Sequence, residues 1–309
     1  IGAGLTGSIS MFVTGANELS ELTVSEDNPV YSADRNVLYG NMTYENGEKD
    51  SYGNKLLSGK HLILSLPTND YEEYEVAPGT VEIDAQAFRN NANLKKVVLP
   101  EGLRQLDTGA FNNCTSLTDI NFPNSLEHVD GLYSVPLDVA DFGPNVSYIS
   151  DSAFMGDMPN HLILRGMTGS GAFEDSMDFT DDGFMASACF GPGVKKARFN
   201  NVAPQTIVLS STVEAFSIAG TAFGGDTAEE TAERVNQVYV YAGSEEVAQL
   251  AKDSLSAEFQ DMKEAMFAWW GQLPADFDID AWTASHIKLY TPLAVELTNV
   301  APTVPGSTV

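Results

Sequence analysis

Cysteine is nearly absent from this chain, basic residues are scarce, and no long apolar run occurs in its 309 positions. Cys114 and Cys189 are the only two cysteines, too few for a disulfide-stapled scaffold. If the periodicity described below holds, they lie about three coils apart, beyond the roughly 7 Å that a disulfide spans between Cα atoms. Two buried, unreactive thiols are therefore expected. Lys and Arg total 16 against 43 Asp and Glu, a formal net charge of −27. The basic residues gather only as Lys95-Lys96 and Lys195-Lys196-Ala197-Arg198. A phosphate backbone or an anionic membrane surface is repelled by such a chain, so no nucleic-acid partner is expected. A bilayer span needs about 18 consecutive apolar residues, and without one no membrane insertion is expected. A basic then apolar leader is also missing. The chain opens on Ile1-Gly2-Ala3-Gly4 and closes on a Pro- and Thr-rich stretch, 301–309, that reads as a tether. A processed form or fragment is expected, its signal and anchor lying elsewhere.

Sequence signatures of catalysis are lacking too. No G-x-S-x-G, phosphate-binding loop or Cys/His pairing appears. His61, His128, His161 and His286 do not stand at metal-ligand spacing, and each is expected at the surface or a coil edge. Carboxylates are so abundant that finding two together proves nothing. Gly2-Ala3-Gly4-Leu5-Thr6-Gly7 satisfies a dinucleotide-binding spacing, yet no strand precedes it and 8–13 reads as strand, so a turn between coils is expected. Asp178-Phe179-Thr180-Asp181-Asp182-Gly183 begins like a calcium loop, with Asp178 and Asp182 as candidate ligands, but Cys189 occupies the twelfth position. A bidentate Glu is needed there. Asp276, Asp278 and Asp280 alternate similarly, with Ala281 at the glycine position. Solvated acidic loops are the expectation at both places. No enzyme activity, cofactor or metal is expected.

What the sequence does contain is a repeat. Ile83-Asp84-Ala85-Gln86-Ala87-Phe88, Leu106-Asp107-Thr108-Gly109-Ala110-Phe111 and Ile149-Ser150-Asp151-Ser152-Ala153-Phe154 share an aliphatic residue followed by Ala-Phe. Between these marks, apolar residues fall at i, i+3, i+5, i+9 and i+12. Leu94, Val97, Leu99, Leu103 and Leu106 fit, as do Leu117, Ile120, Phe122, Leu126 and Val129, and Leu137, Ala140, Phe142, Val146 and Ile149. The coil length is thus about 20 to 23 residues, in the range of solenoid repeats. The i+3 and i+5 positions share one face of a short strand, and Pro100 and Pro123 end it. Stacking buries what no single coil can, and one parallel sheet along the array is expected. Weaker copies are read at Leu19, Leu22 and Val24, at Tyr71, Tyr74 and Val76, at Pro159, Leu162 and Leu164, at Val194, Ala197 and Phe199, and at Val235, Val238 and Val240. About 166–192 breaks the period and reads as degenerate coils or a surface insertion.

Phe111-Asn112-Asn113-Cys114-Thr115-Ser116-Leu117-Thr118-Asp119-Ile120-Asn121-Phe122-Pro123 resembles the bacterial leucine-rich repeats of the BspA type, with Phe122 in place of an aliphatic residue. Glu26-Asp27-Asn28-Pro29-Val30-Tyr31 with Asn36-Val37-Leu38-Tyr39, and Val238-Tyr239-Val240-Tyr241-Ala242-Gly243-Ser244, are similar to a variant and to a closing segment of that family. The resemblance implies a right-handed α/β solenoid of short parallel strands and turns. It also implies a secreted or surface-attached bacterial protein, with adhesion or host-protein binding proposed for some members.

From Ser244 the period changes. Val247, Leu250, Ala251, Leu255, Phe259, Met262, Met266 and Trp269 recur at three- and four-residue steps, an amphipathic helix with Ser244 as N-cap and Gly271 as stop. A cap over the last coil is expected, with a partner-binding helix carrying Trp269 and Trp270 as the other reading. The expected organisation is a solenoid over 1–243, most regular over 71–164, a helical C-terminal cap over 244–290, and a tail or linker over 291–309. The expected function is a monomeric, non-enzymatic protein-binding or adhesion module at a bacterial surface, its partner a protein or host-surface ligand. Lys96, Val98, Asp119, Asn121 and Asp141 are the candidate contacts on the outward strand face. A stalk or spacer within a larger surface protein is the alternative. A glycan or peptide hydrolase is the third class weighed.

Overall fold

Two short strands, rather than one, come from each regular coil. The computed structural model describes residues 1–7, 19–45, 48, 55–150, 153–154, 156–166, 185–199 and 202–290. The array opens with β1 (Tyr31–Asp34), β2 (Val37–Met42) and β3 (Gly59–Ser65). Coils then follow as pairs: β4 (Glu73–Glu75) with β5 (Thr80–Ile83), β6 (Lys96–Val98) with β7 (Gln105–Leu106), β8 (Asp119–Ile120) with β9 (His128–Val129), and β10 (Val139–Phe142) with β11 (Tyr148–Ile149). Beyond β12 (His161–Leu164) come β13 (Ser187–Phe190) with β14 (Lys196–Phe199) and β15 (Thr206–Leu209) with β16 (Ala215–Ile218). Helix α1 (Ala228–Val235) leads into β17 (Tyr239–Ala242), and α2 (Glu245–Glu264) and α3 (Ile279–His286) lead into β18 (Ile287–Leu289).

The single sheet expected from the spacing is therefore corrected to two faces. First strands line up as β4-β6-β8 and β10-β12-β13-β15-β17-β18, and second strands as β3-β5-β7-β9-β11 and β14-β16. All of these pairings are parallel. Ala197 and Phe199 sit on a second strand, β14, with Val194 just before it, not on the first strand that their spacing indicates. The irregular stretch over about 166–192 contains β13, a fully paired ladder strand, which fits a degenerate coil there rather than a surface insertion; its 167–184 portion, with Asp178 and Asp182, lies outside the described residues. The reading of Leu19, Leu22 and Val24 as a coil strand also fails. None of the three is in a strand, and the chain forms an antiparallel β1-β2 hairpin instead. Arg35 and Asn36 both take left-handed φ, 45° and 60°, the turn that suits the twist of a two-residue hairpin loop.

The core is continuous from Val37 to Ile287. Ala87 and Ala110 are fully buried where coils crowd, and Phe88 and Phe111 stack at 5.0 Å and 9°. Backbone bonds tie the turns across coils as well as the strands: Ser65 N–H donates to Ala87 O, and Phe88 N–H to Ala110 O, each at 2.7 Å. Asn90 and Asn113, one repeat apart, take φ of 64° and 59°, a left-handed conformation that Asn tolerates. The Asn113 side-chain amide donates to Asn90 Oδ1 at 3.1 Å.

At the far end, the Ser244 hydroxyl accepts from Val247 N–H at 3.2 Å and caps α2 as expected. Val247, Ala251, Leu255, Phe259 and Met262 bury one face of that helix against β16, β17, β18 and α3. The helix stops at Glu264 rather than near Gly271. Ala265 turns to extended backbone, and Met262 O accepts from both Ala265 N–H and Leu273 N–H. Among the described residues, no helix is long and apolar enough to cross a membrane.

Candidate functional site

The outward strand positions singled out from the sequence are spent largely on neighbouring coils. Lys96 Nζ lies 2.7 Å from Asp119 Oδ2, linking β6 to β8. Asn121 brackets the coil before it, accepting from Leu99 N–H at 2.7 Å and donating to Leu99 O at 2.8 Å. Asp141, on the other first-strand sheet, accepts from Arg165 Nε at 2.7 Å and Nη2 at 2.5 Å. Val98 stands exposed on β6. Lys96, Val98 and Asp119 thus stand on the β4-β6-β8 ladder, with Asn121 just past the end of β8, and Asp141 stands apart from them. Asp278 is the N-cap of α3, accepting from Ala281 N–H at 2.9 Å. Gly2 to Gly7 form a turn, with Leu5 N–H donating to Gly2 O. Cys114 is buried and Cys189 half-buried, and neither is disulfide-bonded. Burial pushes their thiols up to about 12 and about 11.

Large apolar side chains past the end of α2 form an exposed cluster. Met266 is 76% exposed, Phe267 43%, Trp269 62% and Trp270 44%. Trp269 and Trp270 lie 4.7 Å apart, and Phe267 packs edge-on to Trp270 at 5.0 Å. The four expose on the order of 400 Å² together, taking about 200 Å² for a whole side chain. The segment is held from behind by backbone. Gly271 has φ +86° and sits so close to Gly220 that a Cβ would fall 2.1 Å from its carbonyl oxygen, and a Cβ on Gly224 would fall 2.3 Å from Trp269 O. The helix thus covers the array while the two tryptophans project from it.

A second cluster was not foreseen. His61 is 1% exposed, which corrects its expected place at a surface or coil edge. Register explains the burial: His61 pairs with Glu82, Glu82 with Gln105, Gln105 with His128, and His128 with Tyr148. These residues precede the core aliphatics Leu62, Ile83, Leu106, Val129 and Ile149, so they project on the opposite side of the second-strand sheet. At the hairpin end that side is covered. Tyr44 lies against the His61 ring at 5.9 Å. His61 Nδ1 is 2.7 Å from Asp84 Oδ1, and its Nε2 is 2.5 Å from Leu57 O and 3.7 Å from Glu82 Oε2. Glu82 Oε2 is buried and has no hydrogen-bond partner.

Burial pushes the Glu82 carboxyl up to about 8, against the pull of His61. For His61, burial works against the charged ring, yet the hydrogen bond and charge of Asp84, with the charge of Glu82, outweigh it and raise its basicity. Burial and the charges of Asp84 and Glu82 push the Tyr44 phenol up to about 12. One imidazole and two carboxylates place ligand atoms within 4.8 Å of one another. No local spacing marks this trio, because its members come from successive strands. The signal lay in aligning the coils on their aliphatics and reading the column of polar residues one position before.

Parallel two-strand coils of this length around one core define a leucine-rich-repeat solenoid. Residues 70–177 match the family described as BspA type leucine rich repeat region, in six copies. No curated protein matches the chain. Among solved structures, a leucine rich cell surface protein from Faecalibacterium prausnitzii is similar, at 19% identity over 64% of this chain and 41% of that one, with a TM-score of 0.36. The pneumococcal vaccine antigen PcpA matches at 20% identity over 75% of this chain and 47% of its own, with a TM-score of 0.37. A leucine-rich repeat protein from Bacteroides ovatus matches at 15% identity, covering 69% and 71%, with a TM-score of 0.29. The chain therefore spans less than half the length of the first two.

Proposed function

We propose that this chain is the protein-binding module of a bacterial cell-surface repeat protein, and that its contact centres on Met266, Phe267, Trp269 and Trp270. The observation that carries the reading is the exposed aromatic cluster, held on a rigid backbone seat beside the capping helix. Exposed apolar patches of several hundred Å² mark interaction surfaces, and Trp is enriched among the residues that dominate binding energy. The partner that fits is a basic protein surface with an apolar centre, because the chain carries a net charge of −27 and complementary charge speeds encounter. Lys96, Val98, Asp119, Asn121 and Asp141 form the subsidiary face in this reading. The BspA-type repeats favour an extracellular location.

The test is binding of labelled chain to epithelial cells and to an immobilised basic protein, with an acidic protein as control. Saturable binding to the basic targets, lost at least tenfold in Trp269→Ala/Trp270→Ala with an unchanged melting temperature, supports the reading. Binding that the double variant retains refutes the contact. Absence of binding to every target favours the spacer, consistent with the mutual pairing of Lys96 with Asp119 and of Asp141 with Arg165.

A further inference from the structure

We propose that His61, Glu82 and Asp84 form a binding site for a divalent transition-metal cation of the zinc class, at the junction between the N-terminal hairpin and the first coils. Three observations meet there. The ligand atoms lie within 4.8 Å of one another. Glu82 Oε2 is buried without a hydrogen-bond partner and faces His61 Nε2 at 3.7 Å. Asp84 accepts from His61 Nδ1 at 2.7 Å, the carboxylate–imidazole pairing that fixes the tautomer of metal-binding histidines and turns Nε2 toward the ion.

Charge gives the reason for a cation. In the metal-free arrangement both ring nitrogens face acceptors, Asp84 Oδ1 and Leu57 O, so the ring must carry two protons. Beside this one imidazole stand two carboxylates, Glu82 buried and Asp84 partly buried, whose negative charge burial disfavours unless a cation accompanies it. A divalent ion in place of the Nε2 proton balances a neutral imidazole and two carboxylates to zero. It also gives Glu82 Oε2 the partner it lacks, and Leu57 O lies on the same side as a further oxygen donor. Nitrogen with carboxylate and carbonyl oxygens suits zinc or manganese better than an all-oxygen calcium site. Asp84 contributes either through its second oxygen or by orienting the ring. Binding displaces the protons held by His61 Nε2 and by the Glu82 carboxyl and releases them to solvent.

The experiment titrates Zn²⁺ into EDTA-treated, dialysed full chain at pH 7.5, by calorimetry in two buffers of different ionisation enthalpy and by thermal shift. The expected result is one saturable equivalent, proton release, a melting temperature raised by several degrees, and no matching response to Mg²⁺ or Ca²⁺. Glu82→Gln and His61→Gln keep the side-chain volume and should weaken binding at least tenfold, with near-UV circular dichroism confirming the fold. Glu101→Gln, an exposed carboxylate elsewhere, should bind as the parent does. X-ray absorption of the loaded protein should show one imidazole nitrogen on the metal. The absence of one-equivalent binding overturns the site, and so does equal affinity in the Glu82 and His61 variants, which would assign the ion to the acidic surface. None of these outcomes depends on a protein partner.

Discussion

Phe111→Ala is the sharpest test of how the coils hold together. Phe111 is fully buried and stacks on Phe88 of the coil before it at 5.0 Å and 9°. Its backbone N–H is tied to Gly131 O, so the ring cannot shift far to relieve a void. Truncating a buried Phe to Ala costs about 3–5 kcal/mol, and loss of an aromatic pair adds about 0.5–1.5 kcal/mol. The expected loss is about 4 kcal/mol, a large share of the roughly 5–15 kcal/mol of a native domain. Because stability in a solenoid is a sum of coil and nearest-neighbour terms, the loss should fall first on the coils around 88–135. All three tryptophans lie at 269–282, so their fluorescence reports the far end while far-ultraviolet circular dichroism reports the whole. In urea, the dichroism transition of the variant should precede the fluorescence transition. Phe111→Leu, which keeps most of the volume, should cost about 1.5 kcal/mol or less. A loss under about 1 kcal/mol in Phe111→Ala would refute the claim that this ring cements adjacent coils.

Ser244→Ala removes the hydroxyl that accepts from Val247 N–H and should cost about 1 kcal/mol. Hydrogen exchange checks it, through faster exchange of amides 245–248 with the solenoid strands unaffected; uniform protection would contradict the cap. The thiols give a pH prediction. Burial raises Cys114 from 9.0 to about 12 and Cys189 from 9.0 to about 11. Their contribution to stability is complete below pH 9 and is lost as pH rises through 11 to 12, since the unfolded chain releases those protons first. Native protein at pH 8 should therefore leave both thiols unreactive to Ellman's reagent for hours, with two equivalents titrating on unfolding. Rapid reaction of Cys114 in the native state would show that the Phe88–Phe111 coils open locally.

The regular array was legible because its inward positions carry long apolar side chains at fixed steps, and those are the residues that stacking buries. Leu94, Val97, Leu99, Leu103 and Leu106 are all buried as the spacing requires. The second strand of each coil was not legible. Gln105–Leu106 and His128–Val129 are two residues long, so each shows one inward side chain and no alternation to recognise. The hairpin at the start was hidden for another reason: the left-handed pair Arg35-Asn36 reverses the chain where the apolar spacing suggests another coil. At the other end the three- and four-residue rhythm outran the helix. Met266 and Trp269 keep the period of α2 but lie beyond its last turn and face solvent, so the apolar pattern there records a surface rather than a core. His61 lacked a local signal because Glu82 and Asp84 stand 21 and 23 residues later, a separation that only strand register closes.

Charge links these surfaces. Lys95 pairs with Glu72, Lys96 with Asp119, Arg104 with Glu127, Arg165 with Asp141, and Lys195 with Glu214. Each pair joins successive coils, so a scarce supply of basic groups is drawn into the array's own stacking. The acidic excess is left outward, where exposed pairs contribute little stability but the summed field attracts cations and basic proteins over about a Debye length. The two proposed sites use that field differently. A contact through Trp269 and Trp270 is desolvated, so in 0.5 M salt its partner should associate more slowly while dissociation changes little. An ion held at His61 and Glu82 is shielded by the fold, so its affinity should fall with acid, as protons compete for the imidazole, much more than with salt. Binding that disappears with salt in both cases would mean that the acidic surface alone does the attracting, and that neither the aromatic cluster nor the buried imidazole confers specificity.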